Sequence, residues 1–383
     1  MNELMSSSFL VANGTIPDEP VIVEGFDVDN DVLKIENLGI TRSDLQFTQI
    51  GADTVVSLVS GEQLAIVTNT FAFDFDPVSL LKTFYAALAA KDIDKVLETL
   101  SVGVVWEVPG PTDQMPWAGK WSGHSGVRDY FDNFSKGIIE ENLEPVQFIA
   151  QGNIVAVVLN GSGRSQKGVA YKGGVVHWIY VRDGKIDHLQ YYLDTFPVQE
   201  ALQGGRPFTI SPAPQPDPYY VVKPLPSIRT TDSIVLDSSV FETPPSTVVA
   251  VRAMYAALQG LNVPEVRKVF APSVVWDIFG PKDLLSWAGE RIGPDAAAES
   301  ANQIIDTMHF DHFKPTHMIY EGDTAAIIID EGGTSTVTGL PFKTSVVHIV
   351  VANDEGKVTL FKNYINTAWI VEAFLGGRPY TVS

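Results

Sequence analysis

The stretch VVWEVPGPTDQMPWAGKW, residues 104–121, returns as VVWDIFGPKDLLSWAGER at residues 274–291. Trp106 corresponds to Trp276, Gly110-Pro111 to Gly280-Pro281, and Trp117-Ala118-Gly119 to Trp287-Ala288-Gly289, all at one offset. The match runs outward in both directions. FYAALAAKDIDKVLETL from Phe84 answers MYAALQGLNVPEVRKVF from Met254, and VVHWIYVRDGKI from Val175 answers VVHIVVANDEGKV from Val346. LQGGRPFTIS from Leu202 answers FLGGRPYTVS from Phe374. The offset grows by one residue at each of the last two pairs, as short loop insertions in a duplicated domain would make it. The period exceeds the roughly 20–50 residues of solenoid repeats. Two whole domains are therefore expected, at 77–211 and 246–383.

Between them, residues 212–245 form a Pro-rich linker or strap, whose YYVV and SIVL segments give it apolar groups to bury. Residues 1–76 show short alternating apolar runs broken by Gly, Asn and Asp, the pattern of small strands and tight turns. Within each repeat, apolar residues at helical spacing (Leu81, Phe84, Tyr85, Leu88; Val251, Met254, Tyr255, Leu258) precede a strand, a Trp-Ala-Gly loop and a further helix. Longer strands rich in Val and Ile follow. Helices first and an antiparallel sheet afterwards give an α+β class.

Composition narrows the function. The 383-residue chain is 45% hydrophobic, carries a net charge of −20 and contains no cysteine. Nucleic-acid binding is not expected, because no basic stripe is present. Disulfides and thiolate chemistry are excluded. No run approaches the roughly 20 apolar residues that span a bilayer, so no membrane association is expected. The amino terminus lacks a basic region followed by an apolar one. The expected location is the cytoplasm, with export by an uncleaved route left open.

The FYAAL helix, VVWEVPG, the pattern Trp-x-Gly-x-x-x-Val-x-x-Tyr and VVHWIYVRDGKI…YYLDT resemble the NTF2-like superfamily, especially its SnoaL-like and ketosteroid-isomerase-like branches. The resemblance covers both repeats. It implies two tandem cone-shaped barrels, each a curved antiparallel sheet wrapped by helices around a cavity. The amino-terminal segment resembles tails beside hemolysin-type repeats, without their calcium-ligand pattern. The fold hosts many activities as well as inert binders, so function has to be read from the site.

If Arg182-Asp183-Gly184-Lys185 is a four-residue turn, strand parity places His177, His188, Gln190, Tyr192 and Asp194 on one face, expected to line the cavity. Trp178, Tyr180, Tyr191 and Leu193 fall on the other, expected to pack between repeats. A one-residue bulge would swap one strand. His177 is the candidate acid–base group, since a free imidazole titrates near neutrality, with Tyr192 and Asp194 assisting; Asp194 reads equally as a helix cap. Phe84, Tyr85, Trp106, Trp117, His124 and Gln190 in the first repeat, and Trp276, Trp287, His348 and Tyr364 in the second, are candidate ligand-binding residues. The family templates match only in part. Isomerases of this fold use a helix tyrosine and a strand aspartate, where this chain has Phe84 and Val108, or Met254 and Ile278. The cyclases' histidine fits His177, but their aspartate position holds Tyr191. The Asp-Arg-Asp set of the epoxide-hydrolase-like relatives is not evident. His309, His312 and His317 contain a His-x-x-His pair, but no carboxylate set completes a metal site, and none is expected.

The expected function is a cofactor-independent, acid–base enzyme of cyclase, isomerase or dehydratase type. Its substrate would be a small apolar, cyclic polyketide- or terpenoid-like molecule in the first repeat's cavity. The alternative is a non-catalytic ligand-binding or interaction scaffold. In either case the repeats form a pseudo-dimer within the chain, with further oligomerisation open.

Overall fold

The structure is a computed structural model describing residues 7–27, 31–40, 44–72, 76–205, 209–211, 235–236, 246–259 and 263–380. The amino-terminal segment is β-rich, as expected. It contains β1 (Ser8–Asn13), β2 (Val21–Val23), β3 (Val32–Glu36), β4 (Leu45–Ile50), β5 (Asp53–Leu58) and β6 (Gln63–Val67). Val23, Leu33, Ile35, Val56, Leu64 and Val67 close its own small core.

The first repeat begins with α1 (Pro77–Ala89), α2 (Ile93–Glu98), β7 (Leu100–Val108), β8 (Gly119–Ser122) and α3 (Gly123–Gly137). It continues through β9 (Ile138–Gln151), β10 (Ile154–Ser165), β11 (Ala170–Arg182), β12 (Lys185–Leu193) and α4 (Phe196–Gln203). Helix α1 starts where Asp76 accepts the Ser79 hydroxyl at 2.7 Å and Pro77 presets the first turn. It buries Leu80, Leu81, Phe84 and Tyr85, two adjacent pairs one helical turn apart. The strands form one sheet in the order β8-β7-β12-β11-β10-β9.

After β13 (Thr209–Ser211) and β14 (Val235–Leu236), the second repeat copies this plan. It comprises α5 (Ser246–Gln259), α6 (Val263–Val269), β15 (Phe270–Ile278), β16 (Gly289–Ile292), α7 (Pro294–Thr307), β17 (Met308–Glu321), β18 (Thr324–Ser335), β19 (Pro341–Ala352), β20 (Val358–Ile365), α8 (Thr367–Leu375) and β21 (Arg378–Tyr380). Its sheet order is β16-β15-β20-β19-β18-β17. The class is α+β, with two tandem NTF2-like cones and a β-rich amino-terminal segment. Of the strap at 212–245, only Val235 and Leu236 lie within the described residues, and they pair in parallel with Lys34 and Ile35. No helix among the described residues is long and apolar enough to cross a membrane.

One residue corrects the face assignment. The turn forms as read: Asp183 and Gly184 adopt φ of 51° and 66°, and Arg182 pairs with Lys185. Positive φ at both central residues fits the twist of a hairpin. The register then shifts, so that Tyr180 faces His188 and His177 faces Tyr191. Asp187 is the extra residue of this β-bulge, held by the Ser101 hydroxyl at 2.8 Å. Every β12 side chain beyond it changes face. Leu189, Tyr191 and Leu193 therefore join His177 inside the barrel, while His188, Gln190 and Tyr192 turn outward.

The outer faces of the two sheets are buried against each other. Val176, Trp178 and Tyr192 meet Ile328, Val347 and Tyr364 in one apolar cluster. Phe279 reaches over Gly174, where a Cβ would stand 2.7 Å from Tyr364 Cε1. The second repeat has Ser345 at the Gly174 position, and the first has Pro109 at the Phe279 position.

At one end the repeats cap each other's helices. The Phe196 N–H donates to Thr367 Oγ1 at 3.0 Å, and the Ala368 N–H donates to Thr195 Oγ1 at 3.0 Å. The Thr195 hydroxyl donates to Asn366, and that of Thr367 donates to Asp194. Both threonines are fully buried. Thr195→Val keeps the shape but removes the hydroxyl that donates to Asn366 and accepts from the Ala368 N–H. A loss of about 2 kcal/mol in unfolding free energy is expected, measured by urea denaturation.

Candidate functional site

Each barrel interior contains the same pair. In the first repeat, Tyr85 on α1 and His177 on β11 are bonded through the phenol oxygen and Nδ1 at 2.9 Å. In the second, Tyr255 on α5 and His348 on β19 are bonded in the same way at 2.7 Å. Burial lowers each imidazole pKa to about 3, so both rings are neutral at pH 7. It also raises both phenols well above their usual range, so they remain protonated. With the phenol donating to Nδ1, the neutral ring carries its proton on Nε2. Neither Nε2 has a hydrogen-bond partner among the described residues.

What surrounds each pair differs. In the first repeat, Tyr130, Phe131 and Phe134 project from α3 into the barrel. Trp106 packs 5.2 Å from Tyr130, 5.8 Å from Phe131 and 5.8 Å from Tyr191, measured between ring centroids. Tyr191 also lies 3.9 Å from the His177 ring. The void left beside these rings is about 40 Å³, room for water and not for a ring compound.

In the second repeat, α7 supplies Ser300, Ala301 and Ile304 at the matching positions, and β20 supplies Asn363 in place of Tyr191. A cavity of about 350 Å³ opens there. That is within the range of small-ligand sites. Its walls include Trp276 and Phe361, stacked at 4.0 Å, with Ile278, Ile304 and Phe313. Its polar groups include His348 and Asn363, direct cross-strand neighbours on one face. Asn363 Oδ1 is buried and also without a partner among the described residues. Asp311, largely exposed, and His312 also line it. Ser300 holds the wall in place, accepting from Trp276 Nε1 at 3.1 Å and donating to the Trp287 carbonyl at 2.9 Å.

The expected trio of His177, Tyr192 and Asp194 is not brought together. His177 faces inward, but the Asp187 bulge turns Tyr192 into the seam between repeats. Asp194 is held at that seam by Thr367, at the edge of the small void. The open cavity also lies in the second repeat rather than the first. Phe84, Trp106, Trp117 and Trp287 are core residues, and Tyr85 is the partner of His177. His124 sits at the start of α3 with Nε2 3.3 Å from the Leu100 carbonyl. Gln190 and Tyr364 face the seam. Trp276 and His348 do line the open cavity. Asn363, Ile304 and Phe361 were missed, although VRDYFDNF at 127–134 set beside AAESANQI at 297–304 shows the lost volume. Val108 and Ile278, at the isomerases' base position, are buried and apolar. His309, His312 and His317 lie on strand β17, and among the described residues no three His, Asp or Glu side chains group as metal ligands.

Two outcomes follow from these packing differences. Ala301→Phe should fill the cavity at a cost of about 1–3 kcal/mol for overpacking, read by thermal melting. Burial raises the Asp194 pKa to about 7. The folded state therefore retains a proton that the unfolded chain loses near pH 4, so this group's contribution to stability falls as pH rises from 4 to 7. Asp194→Asn should make that decline shallower in urea titrations across the range.

The family model described as "SnoaL-like domain" matches residues 81–189 and 251–361. No curated protein matches the chain. Among solved structures, TerC co-crystallised with polyporic acid is 25% identical, with a TM-score of 0.32, covering 33% of this chain and 96% of its own. An NTF2-like protein of Burkholderia xenovorans LB400 is 29% identical (TM-score 0.30; 33% and 94% covered). A putative isomerase of Rhodopseudomonas palustris is 25% identical (TM-score 0.32; 35% and 98% covered). With its two matched segments spanning more than half of the residues, the chain belongs to the SnoaL-like domain family.

Proposed function

We propose that the second repeat binds a small, largely apolar molecule and promotes its reaction without a cofactor, with His348 stabilising negative charge on a ligand oxygen. The first repeat serves as its structural partner. One observation carries this reading: two unpaired polar atoms, His348 Nε2 and Asn363 Oδ1, belong to cross-strand neighbours lining an otherwise largely apolar cavity. An unsatisfied polar pair in such surroundings costs stability, and a ligand bearing a carbonyl or hydroxyl group would satisfy it.

The neutral imidazole works as a hydrogen-bond donor. Nε2–H polarises a ligand carbonyl, and Tyr255 behind Nδ1 fixes the ring's orientation and tautomer. As negative charge develops on that oxygen, a donor already in place in a water-poor cavity stabilises it without reorganisation. The apolar walls suit a cyclic, polyketide- or terpenoid-like body.

A second reading, a non-catalytic ligand holder, is favoured by Asn363. By strand pairing it matches Tyr191, the position where the cyclases have their aspartate, so the imidazole lacks an adjacent carboxylate. His348→Ala distinguishes the two on a ligand identified by native mass spectrometry of the purified protein. Under the enzyme reading, turnover falls by about 100-fold or more while His177→Ala leaves it intact. Turnover undetectable in the wild type, with binding retained, selects the holder.

A further inference from the structure

We propose that the second-repeat cavity is selective for a ligand whose carbonyl carries an N–H on the adjacent atom, as in a lactam. This rests on the reading that the cavity holds a ligand and that His348 donates to its carbonyl. A carbonyl alone answers the donor of the unpaired pair. The acceptor, Asn363 Oδ1, needs a donor from the ligand as well.

What flanks the two residues leaves them no other polar neighbour. Asn363 lies between Ile278 of β15 and His348 of β19, its direct neighbours across the strands. Phe361 and Ile365 flank it on the same face of β20, because side chains two apart share a face. His348 lies between Asn363 and Ile327 of β18, and its ring stands 4.7 Å from that of Phe361 between centroids. Tyr255 occupies Nδ1. Nε2 and Oδ1 are therefore each other's nearest candidates, but they are not bonded to each other, and neither has a partner among the described residues. His348 is 3% exposed and Asn363 9%, so bulk water does little for either.

The pair is complementary in kind. With Tyr255 donating to Nδ1, Nε2 carries a proton and donates, whereas an amide oxygen only accepts. Cross-strand side chains stand side by side, with Cβ atoms roughly 5 Å apart. Both residues line the cavity, so a donor and an acceptor are offered to it together. A ketone or ester takes the first and leaves Oδ1 desolvated and unpaired, the condition under which a site rejects an analogue that lacks a donor. The cis amide edge of a lactam presents an acceptor and a donor side by side. Trp276 and Phe361, stacked at 4.0 Å, give a flat ring system a wall. The first repeat has Tyr191 facing His177 across the strands where the second has Asn363 facing His348. The paired edge thus belongs to the open barrel alone.

The test titrates three bicyclic probes of similar shape into the full chain by calorimetry. In 3,4-dihydro-2-quinolinone an N–H adjoins the carbonyl, in 2-tetralone a methylene takes its place, and 2-tetralol carries one hydroxyl. The lactam is expected to bind about tenfold tighter than the ketone. In Asn363→Leu the two should bind alike. Equal affinities in the wild type, or a lactam preference that survives in Asn363→Leu, would overturn the inference alone. So would tighter binding of 2-tetralol than of the lactam, because one hydroxyl would then serve both atoms. Failure of all three probes to bind would overturn the cavity reading and this inference with it. If Asn363→Leu does not fold, 3,4-dihydrocoumarin decides on the wild type, since a ring oxygen replaces the N–H. Affinity near that of the ketone supports the inference, and affinity near that of the lactam refutes it.

Discussion

The structure depends on the burial of two outer sheet faces against each other. Trp178 and Tyr192 on one side, and Ile328 and Tyr364 on the other, would form a large apolar patch on any isolated repeat. Each cone already has a core, so this contact is a second, shared one. Carrying both repeats on one chain makes their association intramolecular and independent of protein concentration. The exchanged threonine bonds then tie the start of each repeat's last helix to its neighbour.

That shared seam permits a division of labour. The first repeat packs its barrel with Tyr130, Phe131 and Tyr191, and gains the stability of a well-filled aromatic core. The second leaves its barrel open and carries two buried polar atoms with no partner among the described residues, Nε2 of His348 and Oδ1 of Asn363. Functional cavities generally cost stability. Here the closed repeat can offset that cost across the interface without contributing a residue to the open cavity's walls.

The architecture was legible in the sequence because it is written in long-range repetition. The Trp-Ala-Gly loops, the FYAAL and MYAAL helices and the paired histidines recur at nearly constant spacing, and loops absorb the small shifts. The site was less legible because it turns on single residues without a motif. One extra residue, Asp187, reverses the facing of a strand, and no periodicity predicts where a bulge falls. The open cavity comes from smaller side chains at Ser300 and Ala301, which read in sequence as unremarkable helix formers.

The Gly174 and Phe279 contact has a consequence for recognition. Gly174 leaves the space into which the Phe279 ring fits, and the symmetry-related site holds Pro109 and Ser345 instead. Two first repeats docked through this face would leave a hollow where the ring belongs. Two second repeats would drive each phenylalanine into a serine side chain. The duplicated halves have become a matched, non-interchangeable couple, and the identity of each is specified by the shape of the other.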